Sequence, residues 1–179
     1  LLGWVEHLDD EHHFVILDFV STVLEPGAPV AGDDAAEVRW VPLADVVQRV
    51  LATPAKGDPS LTVTGDTRIR GDARRLERIV ANLVENADRH GGGAVAVTVE
   101  RREGRVRLVV DDAGPGVPSG DQELVFERFS RGARAQRRGS DSGTGLGLSL
   151  VREHALAHRG NAWYEDRPGG GARCIVEFP

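Results

Sequence analysis

Sulfur and lysine are nearly missing from this chain of 179 residues, which has no methionine, one cysteine (Cys174) and one lysine (Lys56). A single cysteine excludes a disulfide framework and a cysteine-based zinc site, and it fits a reducing compartment. No apolar run approaches the roughly 18 residues that a membrane-spanning helix requires, and no signal peptide is recognisable. Because the sequence begins at Leu1 and lacks methionine, we expect it to be part of a longer protein.

The chain also lacks the positive charge of a general nucleic-acid-binding protein, since 22 basic and 28 acidic side chains give a net charge of −6. Residues 1–44 carry nine acidic side chains and one basic, whereas residues 45–179 carry nineteen acidic and twenty-one basic. This change from −8 to +2 predicts that two segments of different origin meet near residue 44. With 40% hydrophobic residues, the chain is expected to form a packed core.

Hydrophobic spacing predicts a mixture of helices and strands. The clearest helix follows Asp72, a residue type suited to capping, and it ends at Gly91–Gly93. Alternating segments at 94–100 and 105–110 predict a β-hairpin. Further strands are expected at 13–23, 35–40, 61–63, 67–70, 162–165 and 173–178, and further helices after Pro42, at 123–126 and from Gly147 to about His158. These elements predict an α+β fold, a two-layer sandwich with a mixed, mostly antiparallel sheet.

Three polar groupings in this pattern are candidates for chemistry. Four residues share one face of the long helix, and their amide and carboxylate oxygens suit Mg²⁺: Asn82, Glu85, Asn86 and Arg89. Directly after a strand, Asp112 can offer a carboxylate to an exocyclic amine, while Gly114 and Gly116 let the backbone approach a flat ring. For the helix residues, the structural alternative is a solvated helix face. For Asp112 and its two glycines, it is an ordinary turn.

The third grouping is the glycine-rich run Gly143–Leu148, which leads into a helix. Backbone N–H groups at such a helix start can bind phosphate, although the run is neither a Walker loop nor a Rossmann turn. Five arginines precede it within eleven residues: Arg128, Arg131, Arg134, Arg137 and Arg138. They are either a solvated loop or a cationic cover over phosphates. A flexible connector is the alternative for the glycine run.

In this order and spacing, the three groupings resemble the ATP-binding catalytic domain of sensor histidine kinases, in the superfamily that includes gyrase, the heat-shock chaperone and MutL. Four motifs over residues 60–179 carry the resemblance: the asparagine box NLVENADRH (82–90), the first glycine box DAGPG (112–116), the phenylalanine box FERF (126–129) and the second glycine box GTGLGL (143–148). Gly169–Gly171 match the closing turn of the family. Arg89 and His90 depart from it, standing where Lys and Tyr are common.

The resemblance implies the α+β fold of that superfamily, with helices on one face of the sheet, and ATP and Mg²⁺ as cofactors. It implies Glu85 and Asn86 as catalytic residues, Asn86 as the metal ligand and Asp112 as the acceptor for the adenine amine. The nucleotide-binding residues that it implies are Asn82, Asn86, Arg89, Asp112, Gly114, Gly116, Phe126, Arg131, Gly143, Thr144, Gly145, Leu146 and Gly147.

The resemblance further implies transfer of the ATP γ-phosphoryl group to a phosphoacceptor histidine outside this chain, in two-component signalling. The expected partners are ATP, the dimerisation and phosphoacceptor domain, and a response regulator, with no nucleic acid and no membrane contact by this segment. The expected location is cytoplasmic, with the full-length kinase anchored in the cell membrane. None of the six histidines has the sequence context of a phosphoacceptor, so the chain alone should bind nucleotide without phosphorylating itself. The alternatives are an anti-sigma-type serine kinase that acts as a binding switch, and the remnant of a Nudix-type nucleotide hydrolase.

The first segment, residues 1–44, resembles the C-terminal part of a Nudix hydrolase, in which a strand pair and a Trp-x-Pro-Leu segment follow the catalytic helix. The glutamate-rich Nudix box is absent, so hydrolysis is not expected. We therefore divide the chain into a Nudix-like segment (1–44) and a kinase-like ATP-binding domain (45–179), with the junction between about 38 and 50. The alternative is that the first segment belongs to the kinase itself.

Overall fold

In a computed structural model of the chain, the described residues are 3–8, 13–18, 38–53, 58–127 and 146–179, the first two ranges by their backbone alone. The chain divides into two compact units, Leu1–Gly32 and Asp33–Pro179. In the first unit, strand β1 (Gly3–Leu8) pairs antiparallel with β2 (His13–Asp18). The strand predicted at 13–23 is therefore confirmed over its first six residues, and residues 19–23 lie outside the described ranges.

The second unit contains three helices and seven strands among its described residues. In chain order they are β3 (Arg39–Pro42), α1 (Leu43–Leu51), β4 (Ser60–Thr64), β5 (Arg68–Gly71), α2 (Ala73–His90), β6 (Ala94–Arg102), β7 (Arg105–Asp112), a 3₁₀ turn (Leu124–Phe126), α3 (Gly147–Ala157), β8 (Asn161–Asp166) and β9 (Ala172–Phe178). In the described part of the chain, no helix combines the length and hydropathy needed to cross a bilayer.

Five strands form the main sheet in the order β4-β6-β7-β9-β8, and β3 pairs with β5 in a separate antiparallel ladder. Within the main sheet only β4 and β6 are parallel, because α2 carries the chain back between them. The β6–β7 hairpin turns through Glu103 and Gly104, whose φ values of 53° and 82° match a tight hairpin turn. The predicted α+β fold with a mixed, mostly antiparallel sheet is confirmed.

Helix α2 covers the sheet because its sequence is strongly amphipathic. Asp72 caps it as predicted, since the carboxylate accepts hydrogen bonds from the backbone N–H groups of Arg74 (2.8 Å) and Arg75 (3.3 Å). Six apolar residues on one face are buried: Leu76, Ile79, Val80, Leu83, Val84 and Ala87. Burial of each larger side chain stabilises the fold by about 1.5–3 kcal/mol, which holds the polar face of α2 at a fixed position.

The predicted boundary between residues 44 and 45 falls inside the second unit. Strand β3 precedes that boundary, yet it pairs with β5, and Val41 and Leu43 are buried in the common core. The second compact unit therefore includes β3. The division at residue 44 stays a prediction about the origin of the two segments.

A histidine fastens the end of α3 to the start of α2. His158 donates from Nδ1 to the carbonyl oxygen of His154 (2.6 Å), and its Nε2 accepts the backbone N–H of Asp72 (3.0 Å). The same ring meets Phe178 edge-on, with 6.0 Å between ring centroids. His158 thereby connects α3, the start of α2 and β9, the last described strand.

His154 gives the fold a dependence on pH. Burial, together with the positive charges of Arg75 and Arg78, lowers the pKa of its imidazole, and among the described residues its buried Nε2 has no hydrogen-bond partner. In the unfolded chain the imidazole takes up a proton near pH 6.5, whereas in the folded chain it does so only at lower pH. Stability should therefore decrease as pH falls through about 6.5.

We expect His154→Leu to reduce the loss of thermal stability between pH 7.5 and pH 5.5, because the proton uptake that favours the unfolded chain is removed. Thermal denaturation followed by circular dichroism at several pH values measures this. His90→Leu, at an exposed position on α2, is the matched control and should keep the pH dependence of the parent. A His154→Leu profile that parallels the parent profile would contradict the assignment.

Candidate functional site

The carboxylate of Asp112 is held rigidly at the end of β7. Its Oδ1 accepts hydrogen bonds from the backbone N–H groups of Gly114 (2.9 Å) and Ala172 (3.0 Å), and the residue is 8% exposed. The carbonyl oxygen of the same residue accepts a hydrogen bond from Arg167 (3.1 Å). No hydrogen bond to Oδ2 is found within the described residues. One carboxylate oxygen is therefore fixed by the fold, and the other is a candidate acceptor for a ligand.

Three glycines surround Asp112 so closely that a side chain would not fit. A Cβ atom on Gly91 would lie 2.4 Å from Asp112 Cγ, and one on Gly114 would lie 2.6 Å from Gly91 Cα. A Cβ atom on Gly171 would lie 2.0 Å from the carbonyl oxygen of Asp112. Gly91 and Gly171 were predicted only as a helix end and a closing turn. The structure places both against the candidate adenine-binding carboxylate.

The neighbouring Asp111 has a different role, because successive side chains of a strand point to opposite faces. Its two carboxylate oxygens accept hydrogen bonds from Arg173 at 2.7 and 2.8 Å, across the β7–β9 pairing. The hydrogen bond to Asp111 raises the pKa of the Arg173 guanidinium. Asp111 therefore forms a structural ion pair, and of the two adjacent carboxylates only that of Asp112 keeps an oxygen for a ligand.

The polar face of α2 lies as the sequence predicts, but its members differ in their contacts. Glu85 forms an ion pair with Arg89 (2.6 Å), in which both side chains are about half exposed. Asn86 donates from Nδ2 to the hydroxyl oxygen of Tyr164 (2.9 Å). Asn82 lies beside the start of α3, since a Cβ atom on Gly147 would be 3.9 Å from its Oδ1. The predicted side chains Asn82 and Asn86 thus face elements from the second half of the chain.

The Asn86 amide is a better candidate ligand for a divalent cation than any group of charged side chains in the described residues. The amide nitrogen of Asn86 is engaged by Tyr164, and no hydrogen bond to Oδ1 is found in the described part of the chain. Within the same residues, no group of three or more His, Cys, Asp or Glu side chains is arranged to hold a metal. A single amide oxygen suits Mg²⁺, which keeps several waters and takes other ligands from substrate phosphates.

The start of α3 presents backbone N–H groups without a side-chain cap. Leu146 occupies the capping position and makes no side-chain hydrogen bond there, while the Ser149 hydroxyl donates to the Leu146 carbonyl (2.9 Å). Within the described residues, no side chain caps the first N–H groups of the helix, and such groups can bind an anion. Four of the predicted site residues lie outside the described ranges: Arg131, Gly143, Thr144 and Gly145.

Phe126 lies beneath the site, in the core. It is 4% exposed, and its ring contacts that of Tyr164 with 5.5 Å between centroids. The guanidinium of Arg152 lies 5.8 Å from the Phe126 ring centroid and pairs with Glu123 (3.1 Å). This position favours a packing role for Phe126, and its direct contact with nucleotide stays a prediction.

Comparison with known proteins bears on the family and the fold of the chain. Residues 71–179 match the family model of the histidine kinase-, DNA gyrase B-, and HSP90-like ATPases. The sensor-type histidine kinase PrrB of Mycobacterium tuberculosis is 39% identical over 145 residues, which cover 78% of this chain and 31% of PrrB. The chain thus spans about a third of the length of that relative.

Two solved structures share the fold. The ATP-binding domain of PrrB from Mycobacterium tuberculosis superposes with a TM-score of 0.60 at 32% identity, covering 79% of this chain and 96% of that domain. A mycobacterial sensor histidine kinase, MprB, superposes with a TM-score of 0.65 at 28% identity, covering 80% of this chain and 97% of the other. The compact unit described above therefore corresponds to nearly the whole of two independently solved domains.

Proposed function

The chain belongs to the family of histidine kinase-, DNA gyrase B-, and HSP90-like ATPases, and on that basis we propose that it is the ATP-binding catalytic domain of a two-component sensor histidine kinase. The observation that carries this proposal is the Asp112 carboxylate, with one oxygen tied to two backbone N–H groups and the other left for a ligand. In the full-length protein the domain would deliver the ATP γ-phosphoryl group to a histidine outside this chain.

Adenine fits Asp112 for reasons of both charge and shape. The exocyclic amine of adenine is a donor and meets an acceptor, Oδ2, whereas guanine presents a carbonyl oxygen at that position and would be repelled. Gly91 and Gly114 let the backbone pack directly against the carboxylate and against each other, which fixes the position of the acceptor. A buried acceptor of this kind discriminates strongly, because the wrong base leaves it unpaired.

The phosphates and their cation would lie along α2, toward the start of α3. We assign Mg²⁺ to the Asn86 amide oxygen, with Asn82 and Glu85 orienting water or the ligand itself. The uncapped amides of α3, which begins at Gly147, together with Gly143–Leu146 and Arg131, would hold the phosphate oxygens. Bound Mg²⁺ would neutralise charge on the phosphates. The contribution of this chain is therefore positioning and electrostatics rather than covalent chemistry.

The remaining features of the full-length protein are proposals of the same kind. The partners would be a dimerisation and phosphoacceptor domain and a response regulator, and the domain would act on the cytoplasmic side of the membrane. For residues 1–44 we keep the Nudix-like origin as a proposal, supported by the antiparallel pair β1–β2. The alternative is that this segment belongs to the kinase itself and only resembles a Nudix hydrolase.

Incubation of the chain with ATP tests this proposal. Incubated with radiolabelled Mg-ATP, the isolated chain should bind nucleotide yet gain no acid-labile phosphate, because no histidine is delivered in line with the γ-phosphorus. Calorimetry measures the binding, and acid and base treatment of the labelled protein measures phosphohistidine. Absence of ATP binding, or stable phosphorylation of one of its own histidines, would contradict the assignment as a donor domain.

A second arm of the experiment concerns residues 1–44. ADP-ribose added with Mg²⁺ should remain intact, because the segment lacks the clustered glutamates that hold metal ions for diphosphate hydrolysis. Release of AMP and ribose phosphate, detected by chromatography, would show that this segment retains a catalytic activity. Deletion of residues 1–32, which form the first compact unit, is the matched control for any release observed.

A further inference from the structure

Behind Asn86 lie two buried polar residues that the proposed function does not use. Tyr164 on β8 and Cys174 on β9 are directly paired across the sheet, and they are 6% and 4% exposed. The hydroxyl oxygen of Tyr164 accepts the hydrogen bond from Asn86 Nδ2 (2.9 Å). A hydroxyl buried to this degree is costly unless it is hydrogen-bonded, so its partners identify its purpose.

The hydrogen bond between Asn86 and Tyr164 has a direction. The hydroxyl oxygen of Tyr164 accepts from Nδ2 of Asn86. Only the NH₂ group of an amide can donate, so this group is the one that faces the phenol.

Since the NH₂ group of Asn86 is turned toward Tyr164, its Oδ1 must point away. We propose that Tyr164 is a positioning residue, which fixes the amide orientation of Asn86 so that its oxygen faces the nucleotide side of α2. The inference rests on the proposed function for the identity of the ligand, Mg²⁺ bound to ATP. The orientation of the amide itself rests only on the hydrogen bond to Tyr164.

Packing alone does not account for this tyrosine. Its ring contacts Phe126, and a phenylalanine at position 164 would preserve that contact. The hydroxyl adds no apolar contact, and its hydrogen-bond partner is the Asn86 amide. Removing the oxygen atom therefore separates the positioning role from the packing role.

The experiment compares the Kd for ATP in Mg²⁺ with the Kd in EDTA, and the ratio of the two measures the metal enhancement. Tyr164→Phe should lower this ratio by about tenfold or more, the scale for residues that orient a metal ligand, while the Kd in EDTA changes less than about twofold.

Two further variants serve as controls for full loss of the metal enhancement and for general destabilisation. Asn86→Leu removes the amide and should abolish the enhancement. Val106→Ala, a fully buried residue at the other end of β7, is the control for general destabilisation and should leave the ratio unchanged. An unchanged ratio in Tyr164→Phe overturns the inference, as does an equal loss of affinity in Mg²⁺ and in EDTA.

Nuclear magnetic resonance without nucleotide separates this inference from the proposed function. In ¹⁵N-labelled parent protein, one side-chain N–H of Asn86 should exchange slowly with solvent, and in Tyr164→Phe that protection should be lost. If ATP does not bind but the protection is present, the proposed function fails and the amide orientation stands. If ATP binds with Mg²⁺ and the protection is absent in the parent, the orientation fails and the proposed function stands.

Discussion

Gly171→Ala is expected to lower the free energy of unfolding by about 3–5 kcal/mol, a large share of the stability of an ordinary domain. Gly171 has a φ of +97°, which L side chains rarely adopt, and its added Cβ would lie 2.0 Å from the carbonyl oxygen of Asp112. Neither atom belongs to a flexible side chain, so a backbone segment has to move. Urea denaturation followed by circular dichroism measures the change.

Gly170→Ala is the matched control for backbone strain. Gly170 has a φ of +98°, almost that of Gly171, but a Cβ atom there meets nothing within 4 Å. It should therefore cost about 1–3 kcal/mol, the strain contribution alone. Equal losses for the two variants would show that the close approach of Gly171 to Asp112 contributes nothing to stability.

Asp112→Asn is expected to weaken ATP binding by about 1.5–3 kcal/mol, or roughly 10- to 150-fold in Kd. The substitution keeps the shape of the side chain but replaces a charged acceptor, and an amide nitrogen at the ligand side would face the adenine amine donor to donor. For the same reason GTP should bind the parent poorly. Isothermal titration calorimetry with both nucleotides measures these differences.

Asp111→Asn provides a control one residue away. Asp111 is also 8% exposed, but its carboxylate pairs with Arg173 on the other face of the strand. Its substitution should reduce stability and leave ATP affinity near the parent value. If Asp111→Asn and Asp112→Asn weaken ATP binding alike, or if ATP and GTP bind the parent equally, Asp112 does not read the base.

Elements set by neighbouring residues were predictable from the sequence. Helix α2 begins after Asp72 and ends before Gly91 as predicted, because a cap, an apolar repeat and a glycine are all local signals. The β6–β7 hairpin is likewise confirmed. The order of the strands was not predictable, since the position of β9 between β7 and β8 depends on contacts between distant residues.

The candidate site divides in the same way. Asp112, Asn82 and Asn86 were singled out because their residue types and spacing are visible in the sequence. The contact of Gly91 with Asp112 was not predicted, since it depends on how the end of α2 meets the end of β7. The hydrogen bond from Asn86 to Tyr164 spans 78 residues of sequence, and no local pattern marks it.

The position of β9 also sets when the pocket exists during protein synthesis. Proteins are made from the N-terminus, and β9 is the last strand described, yet it fills the gap between β7 and β8 and supplies the Ala172 N–H that holds Asp112. A nascent chain that ends before Ala172 therefore lacks one of the two N–H groups that hold the Asp112 carboxylate. We expect ATP to stabilise the domain by mass action only after the last strand has completed the pocket.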